Sequence, residues 1–105
     1  MLFKFPKNDR EYLWTSHSKS KMLYYRISES KIKLIISRPD RKETGIAPKT
    51  IAVMKRNDSA QRKQEMWAMY QILGLKKKII STWRYPGISP KRTIPIPDDI
   101  LQELE

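Results

Sequence analysis

The chain has no cysteine. Disulfides and thiolate metal sites are thereby excluded, and the composition fits a reducing cytosol. It has one histidine, His17, and its acids are scattered, so no zinc-binding pattern can be recognised. No metal and no cofactor is expected. Apolar runs are short, as at Leu34–Ile36, far below the roughly 20 residues of a membrane-spanning helix. The opening MLFKFPKNDREY lacks the long apolar core of a signal peptide. The expectation is a cytoplasmic protein without a membrane partner. There is no internal repeat and no low-complexity segment.

Acidic residues are also scarce. Eleven Asp and Glu stand against 22 Lys and Arg, for a net charge of +11. Four of the acids fall between Asp98 and Glu105, so residues 1–97 hold 22 cations and seven acids, a net +15. Such a surface attracts polyanions, and phosphate contacts would make binding salt-dependent. RNA or another nucleic acid is the expected partner. At 105 residues with 39% apolar content, one domain with one modest core is expected.

The stretch Tyr12–Pro39 organises the rest. Glu11–Thr15 is rich in aromatic and β-branched residues and reads as a short strand. Thr15 or Ser16 can cap a helix by accepting from a free first-turn amide. Ser18, Met22 and Tyr25 form its narrow apolar face, with His17, Lys21 and Tyr24 on another and Lys19 nearby. A second helix opens at Ser28, stapled by Ile27 and Ile32, with Glu29 in its first turn and Arg38 at its other end. Ile32, Ile35 and Ile36 form its buried stripe, and Pro39 ends it. Residues 1–6 read as an edge strand or a loose arm.

Asp40–Ala47 can hold a short strand, with Gly45 as a turn residue. Thr50–Arg56 is a strand by composition, and Lys55 and Arg56 point to opposite faces. Lys63–Leu73 fits helical or strand spacing. We read it as strand, because Lys77–Tyr85 is strongly β-prone and needs neighbours. The three prolines of Ile88–Pro97 suggest a tail extended on the surface. Asp98–Leu104 reads as a short acidic helix with Ile100, Leu101 and Leu104 on its apolar side. The domain reading is thus 1–97 with an extended tail, then an acidic helix over 98–105.

The order Thr15-x-His17, Lys21-Met22, Arg26-x-Ser28 and Arg38-Pro39 resembles the opening of a small bacterial domain family of unknown function. That family is similar to BrnT-type toxins within the RelE/ParE-like group. Ile79–Thr82 and Trp83–Tyr85 resemble its last strand, so the likeness covers roughly Tyr12 to Gly87. It departs at Ser18 and Lys21, where alanine and arginine are usual. The resemblance implies an α+β fold, with two N-terminal helices on a curved, mostly antiparallel sheet of four to five strands. It also implies strand for Lys63–Leu73. RelE-like toxins bind mRNA on the concave sheet face, often on the ribosome, and cleave it without metal. ParE-like relatives act on gyrase, so fold alone does not assign the function. An antitoxin is a further partner of this kind of domain.

Metal-free RNA cleavage needs a base, cations for the phosphate and an acid for the leaving oxygen. His17 is the candidate base or acid, because its ordinary pKa lies near neutrality. A histidine early in a helix can equally order a turn. Arg84 is the candidate phosphate clamp, since guanidinium binds oxyanions through two parallel bonds. Tyr85 completes the catalytic candidates. Trp83 shares its face and can stack on a base or fill the core. By strand alternation Arg84 faces away from both, so a site using Arg84 and Tyr85 needs a bulge or a strand end. Lys19, Lys21, Arg26, Lys55, Arg56 and Lys78 are the remaining nucleic-acid candidates, and Arg26 can instead tie the interhelical turn. The acidic helix can compete with RNA by folding onto the basic surface, or it can cap a sheet edge, which is the simpler expectation. The functional readings are a RelE/BrnT-like endoribonuclease toxin, a non-catalytic nucleic-acid-binding module, and a domain with an acidic protein partner.

Overall fold

The structure, a computed structural model, describes residues 3–104, and of Leu104 the backbone alone. Met1, Leu2 and Glu105 lie outside the described residues, as do the start of the expected N-terminal arm and the end of the expected acidic helix. The order of elements is β1 (Tyr12–Trp14), α1 (Ser16–Tyr25), α2 (Glu29–Ser37), β2 (Arg41–Thr44), β3 (Thr50–Arg56), β4 (Gln64–Leu73), β5 (Lys76–Pro86) and α3 (Asp98–Leu104). The five strands form one open sheet in the order β1-β5-β4-β3-β2. β1 runs parallel to β5, and every other pair is antiparallel. The fold is therefore α+β, with two N-terminal helices, a mixed sheet and a short C-terminal helix. Residues 3–6 form no strand, and Phe3 packs against the core.

Local chemistry accounts for both long helices. Thr15 accepts from the Ser18 amide at 3.0 Å and caps α1. Its hydroxyl also donates to the Ile79 carbonyl at 2.9 Å, which ties the cap to β5. α1 ends at Arg26, held left-handed at φ 55. The Ile27 amide donates to Met22 and the Arg26 amide to Leu23, the paired bonds of a Schellman ending. Ser28 caps α2 by accepting from the Lys31 amide. Ile27 and Ile32 are both fully buried, as a staple requires.

The sheet is apolar on both faces. On the first, Val53, Met66, Ala68, Tyr70 and Ile79 pack under Met22, Ile27, Ile32 and Ile35 of the helical layer. On the second lie Ala52, Met54, Trp67, Met69 and Trp83. β4 alternates between the two clusters, which is why Lys63–Leu73 settles as a strand: both of its faces are wanted. A bulge between Met69 and Tyr70 leaves Ile80 without a ladder partner and sets Ser81 opposite Met69, on the second face.

The tail over 88–97 forms no helix or strand and runs along the surface, packed down on the second face. Ser89 is buried, Ile94 and Ile96 pack on the second cluster, and Ile100 of α3 is fully buried in it. α3 likewise covers this face rather than a sheet edge. The physical reason is the apolar second face, which water would otherwise wet. Pro90, Pro95 and Pro97 cannot join the ladder but can lie extended across it. Leu101 is exposed.

Candidate nucleic-acid interface

α1 places His17 and Lys21 one turn apart, and α3 places Asp99 and Glu103 one turn apart. The two pairs meet. His17 Nδ1 lies 2.5 Å from Glu103 Oε2. Lys21 Nζ lies 2.6 Å from Asp99 and 3.5 Å from Glu103. Lys21 itself is only 8% exposed. The hydrogen bond to Asp99 holds the Lys21 ammonium above its ordinary pKa, against burial, which pulls it down. The same bond holds the Asp99 carboxyl below its ordinary value.

On its other side, His17 Nε2 lies 2.9 Å from Ser81 Oγ. The ring thus spans the Glu103 carboxylate at Nδ1 and the Ser81 hydroxyl at Nε2. The connectivity is that of a serine–histidine–carboxylate relay. Ser81 is fully buried, and the relay ties the α1–β5–α3 junction together.

The other candidates serve the fold. Arg84 donates to the Tyr25 carbonyl at 2.7 Å, the Arg26 carbonyl at 3.0 Å and Gln64 Oε1 at 3.0 Å. Its fork clamps the end of α1 to β5, with three of its five N–H groups engaged inside the fold. Tyr85 packs against the second cluster, so Arg84 and Tyr85 sit on opposite sides of β5. The bulge at Ile80 lies too far along the strand to bring them together. Trp83 is fully buried and stacks on its ladder partner Trp67, with centroids 5.9 Å apart and planes 6° from parallel. The Trp83 indole N–H has no acceptor, and Trp14 shares that state in the first cluster. Lys55 donates to the Arg38 carbonyl at 2.9 Å. Arg56 bridges Asp58, Glu65 and the Gly87 carbonyl.

What is left for an external partner is the unpaired charge. Seven of the 22 lysines and arginines reach a carboxylate within 4.0 Å among the described residues. Lys19, Arg26 and Lys78 are among those that reach none. Lys19 lines a shallow depression beside α1 with Phe5, Ser16, Ser20 and Leu23. Arg26 is exposed at the corner between the helices, its backbone serving the cap and its side chain facing solvent. No group of three His, Cys, Asp or Glu among the described residues is placed to share a metal ion. No helix among them is long and apolar enough to cross a membrane.

Three residues that matter here escape a reading of the sequence. Arg41 donates to Ser89 Oγ at 2.7 Å and to the Pro90 and Thr93 carbonyls, and lies 5.0 Å over the Trp67 ring. Glu65 is fully buried and accepts from the Trp67 indole, the Ser89 amide and the Ser89 hydroxyl. Ser81 meets His17. Only Glu65 left a trace, as the acid at the head of the apolar run Met66–Tyr70 of β4.

Comparison with known proteins gives no match to a family model, to a curated sequence or to a solved structure.

Proposed function

We propose that the chain is a RelE/BrnT-like, toxin-type domain that acts on RNA by binding it through the cationic surface around α1. The observation that carries this reading is the way His17 and Lys21 hold anions: two oxygen acids from the chain's own end lie within 3.5 Å of them. Lys19 stands on another face of the same helix and Arg26 at its C-terminal end, so the cations surround α1. The net +15 of residues 1–97 supports a polyanionic partner. Binding without cleavage is the better reading, because Arg84 is engaged with backbone carbonyls and Tyr85 faces the opposite side of β5. A cytoplasmic location, and the ribosome or an acidic antitoxin as further partners, belong to the same proposal.

A metal-independent endoribonuclease is the second reading, favoured by one observation. The His17 ring is oriented by a carboxylate at Nδ1, as a general base or acid requires.

The test is incubation of the purified chain with a labelled single-stranded RNA at two salt concentrations, scored for shift and for cleavage. Binding predicts a shift that weakens with salt, each phosphate contact adding about 0.7 to the logarithmic slope. Lys19→Ala and Arg26→Ala weaken it. Cleavage lost in His17→Ala would replace the binding reading with the nuclease. Neither shift nor cleavage would overturn both and leave an acidic protein as the partner to seek.

A further inference from the structure

The same anion site is occupied in the folded chain, and the occupant is weakly tethered. Asp99 and Glu103 sit on one face of α3 and fill the positions beside Lys21 and His17. Ile100, between them in sequence, is buried in the cluster that holds Trp67 and Trp83. Beyond Thr93 the backbone makes only local hydrogen bonds: Ile96 to Ile94, and Ile100 and Leu101 to Pro97. No backbone hydrogen bond joins residues 94–104 to the sheet or to α1 among the described residues. The root of the tail is different. Ser89 is pinned by Glu65 and Arg41, and Arg41 also holds the Pro90 and Thr93 carbonyls. The chain therefore has a fixed root ending at Thr93, a proline-containing connector, and a short terminal helix held by two acidic side chains and three isoleucines.

We propose that α3 is an acidic plug in the polyanion site of α1: Asp99 and Glu103 stand where phosphates of a single-stranded RNA bind, and RNA and α3 exclude one another. This rests on the RNA-binding reading above and adds its regulation. Release of α3 frees Lys21 and His17 for phosphate. It also removes Ile100 from the cluster that holds Trp67 and Trp83 and so loosens the cover over those rings. Apparent affinity then scales with the fraction of molecules whose helix is undocked.

The test compares the full chain with D99N/E103Q, which keeps Ile100 and the tail but removes both carboxylates. A control, E11Q/E29Q, removes the same charge elsewhere. Each is titrated with single-stranded RNA and, separately, with inorganic polyphosphate, and acrylamide quenching of tryptophan is followed throughout. The plug predicts that D99N/E103Q binds both polyanions about tenfold more tightly than the full chain, as for a site open one time in ten. It predicts little change in the control, and tryptophan exposure that rises when polyanion binds. Equal tightening in D99N/E103Q and the control would overturn the plug in favour of net charge alone. Unchanged affinity in D99N/E103Q, or no polyanion bound by any form, would overturn it as well. Tighter polyphosphate binding by D99N/E103Q, with RNA bound by no form, would keep the plug and reject the RNA reading.

Discussion

The Arg84 guanidinium donates to the Tyr25 carbonyl at 2.7 Å, so the last strand grips the end of the first helix through a side chain. Burial pushes the Arg84 pKa down from its ordinary value, and the group remains a cation. Arg84→Ala strands two carbonyls at the α1 terminus. It is expected to lower stability by about 1.5–3 kcal/mol, measured by denaturant unfolding. Arg84→Lys recovers little, because one ammonium cannot reproduce the planar fork. RNA affinity of the folded variant stays near that of the parent, whereas a phosphate role would move affinity and leave stability alone.

Glu65 gives the fold an acid-sensitive point. Burial pushes its pKa up, but the Ser89 amide and hydroxyl, the Trp67 indole and the Arg41 charge outweigh burial and hold it below its ordinary value. A group lowered in the folded state contributes stability above its unfolded pKa and loses it as pH falls through the folded value. The contribution is therefore full above pH 4.5 and fades below it. Glu65→Gln removes that dependence. Its unfolding free energy, measured from pH 7 to pH 3, should fall less steeply in acid than the parent's. At neutral pH, Glu65→Ala leaves the buried Ser89 and Trp67 donors without their acceptor, while Arg56 keeps Asp58, and it costs about 1–3 kcal/mol.

Ile35 and Ile100 are both fully buried, yet their truncations should differ. Ile35 sits in the rigid layer between α2 and the sheet, and Ile35→Ala is expected to cost about 2–5 kcal/mol. If α3 is the releasable plug proposed above, the loss at Ile100 is capped by the docking free energy of α3. Ile100→Ala should cost about 2 kcal/mol or less and raise tryptophan quenching. Paired thermal melts decide this, at about 4–8 °C per kcal/mol for a chain of this size. Equal losses at the two sites would show α3 to be as firmly built in as α2.

Gly45 closes the turn between β2 and β3, where its amide donates to the Thr50 carbonyl at 2.8 Å. A Cβ there would collide with the Thr50 hydroxyl and lie 2.9 Å from the Thr50 carbonyl carbon. Backbone cannot yield as a side-chain tip can. Gly45→Ala is expected to cost about 1–3 kcal/mol, seen as a lower denaturant midpoint at unchanged slope.

The elements of this protein are legible in its sequence because their signals are local. Thr15 and Ser28 cap helices by bonds to residues three places away. Ile27 and Ile32 staple within one turn, and Pro39 stops α2 through its own ring. The α+β class follows from those helices and the β-prone segments after them. Lys63–Leu73 is less legible, since its spacing fits two periods. The sheet resolved it by offering a buried surface on each side. The roles of the charged residues were decided by tertiary structure alone. Arg84 reads as a phosphate clamp until the end of α1, 59 residues away, arrives within its reach. Lys21 reads as a nucleic-acid contact until Asp99, 78 residues on, meets it. Composition shows the excess of positive charge. Which cations remain unpaired depends on where the folded chain places its few acids, and no local pattern encodes that placement.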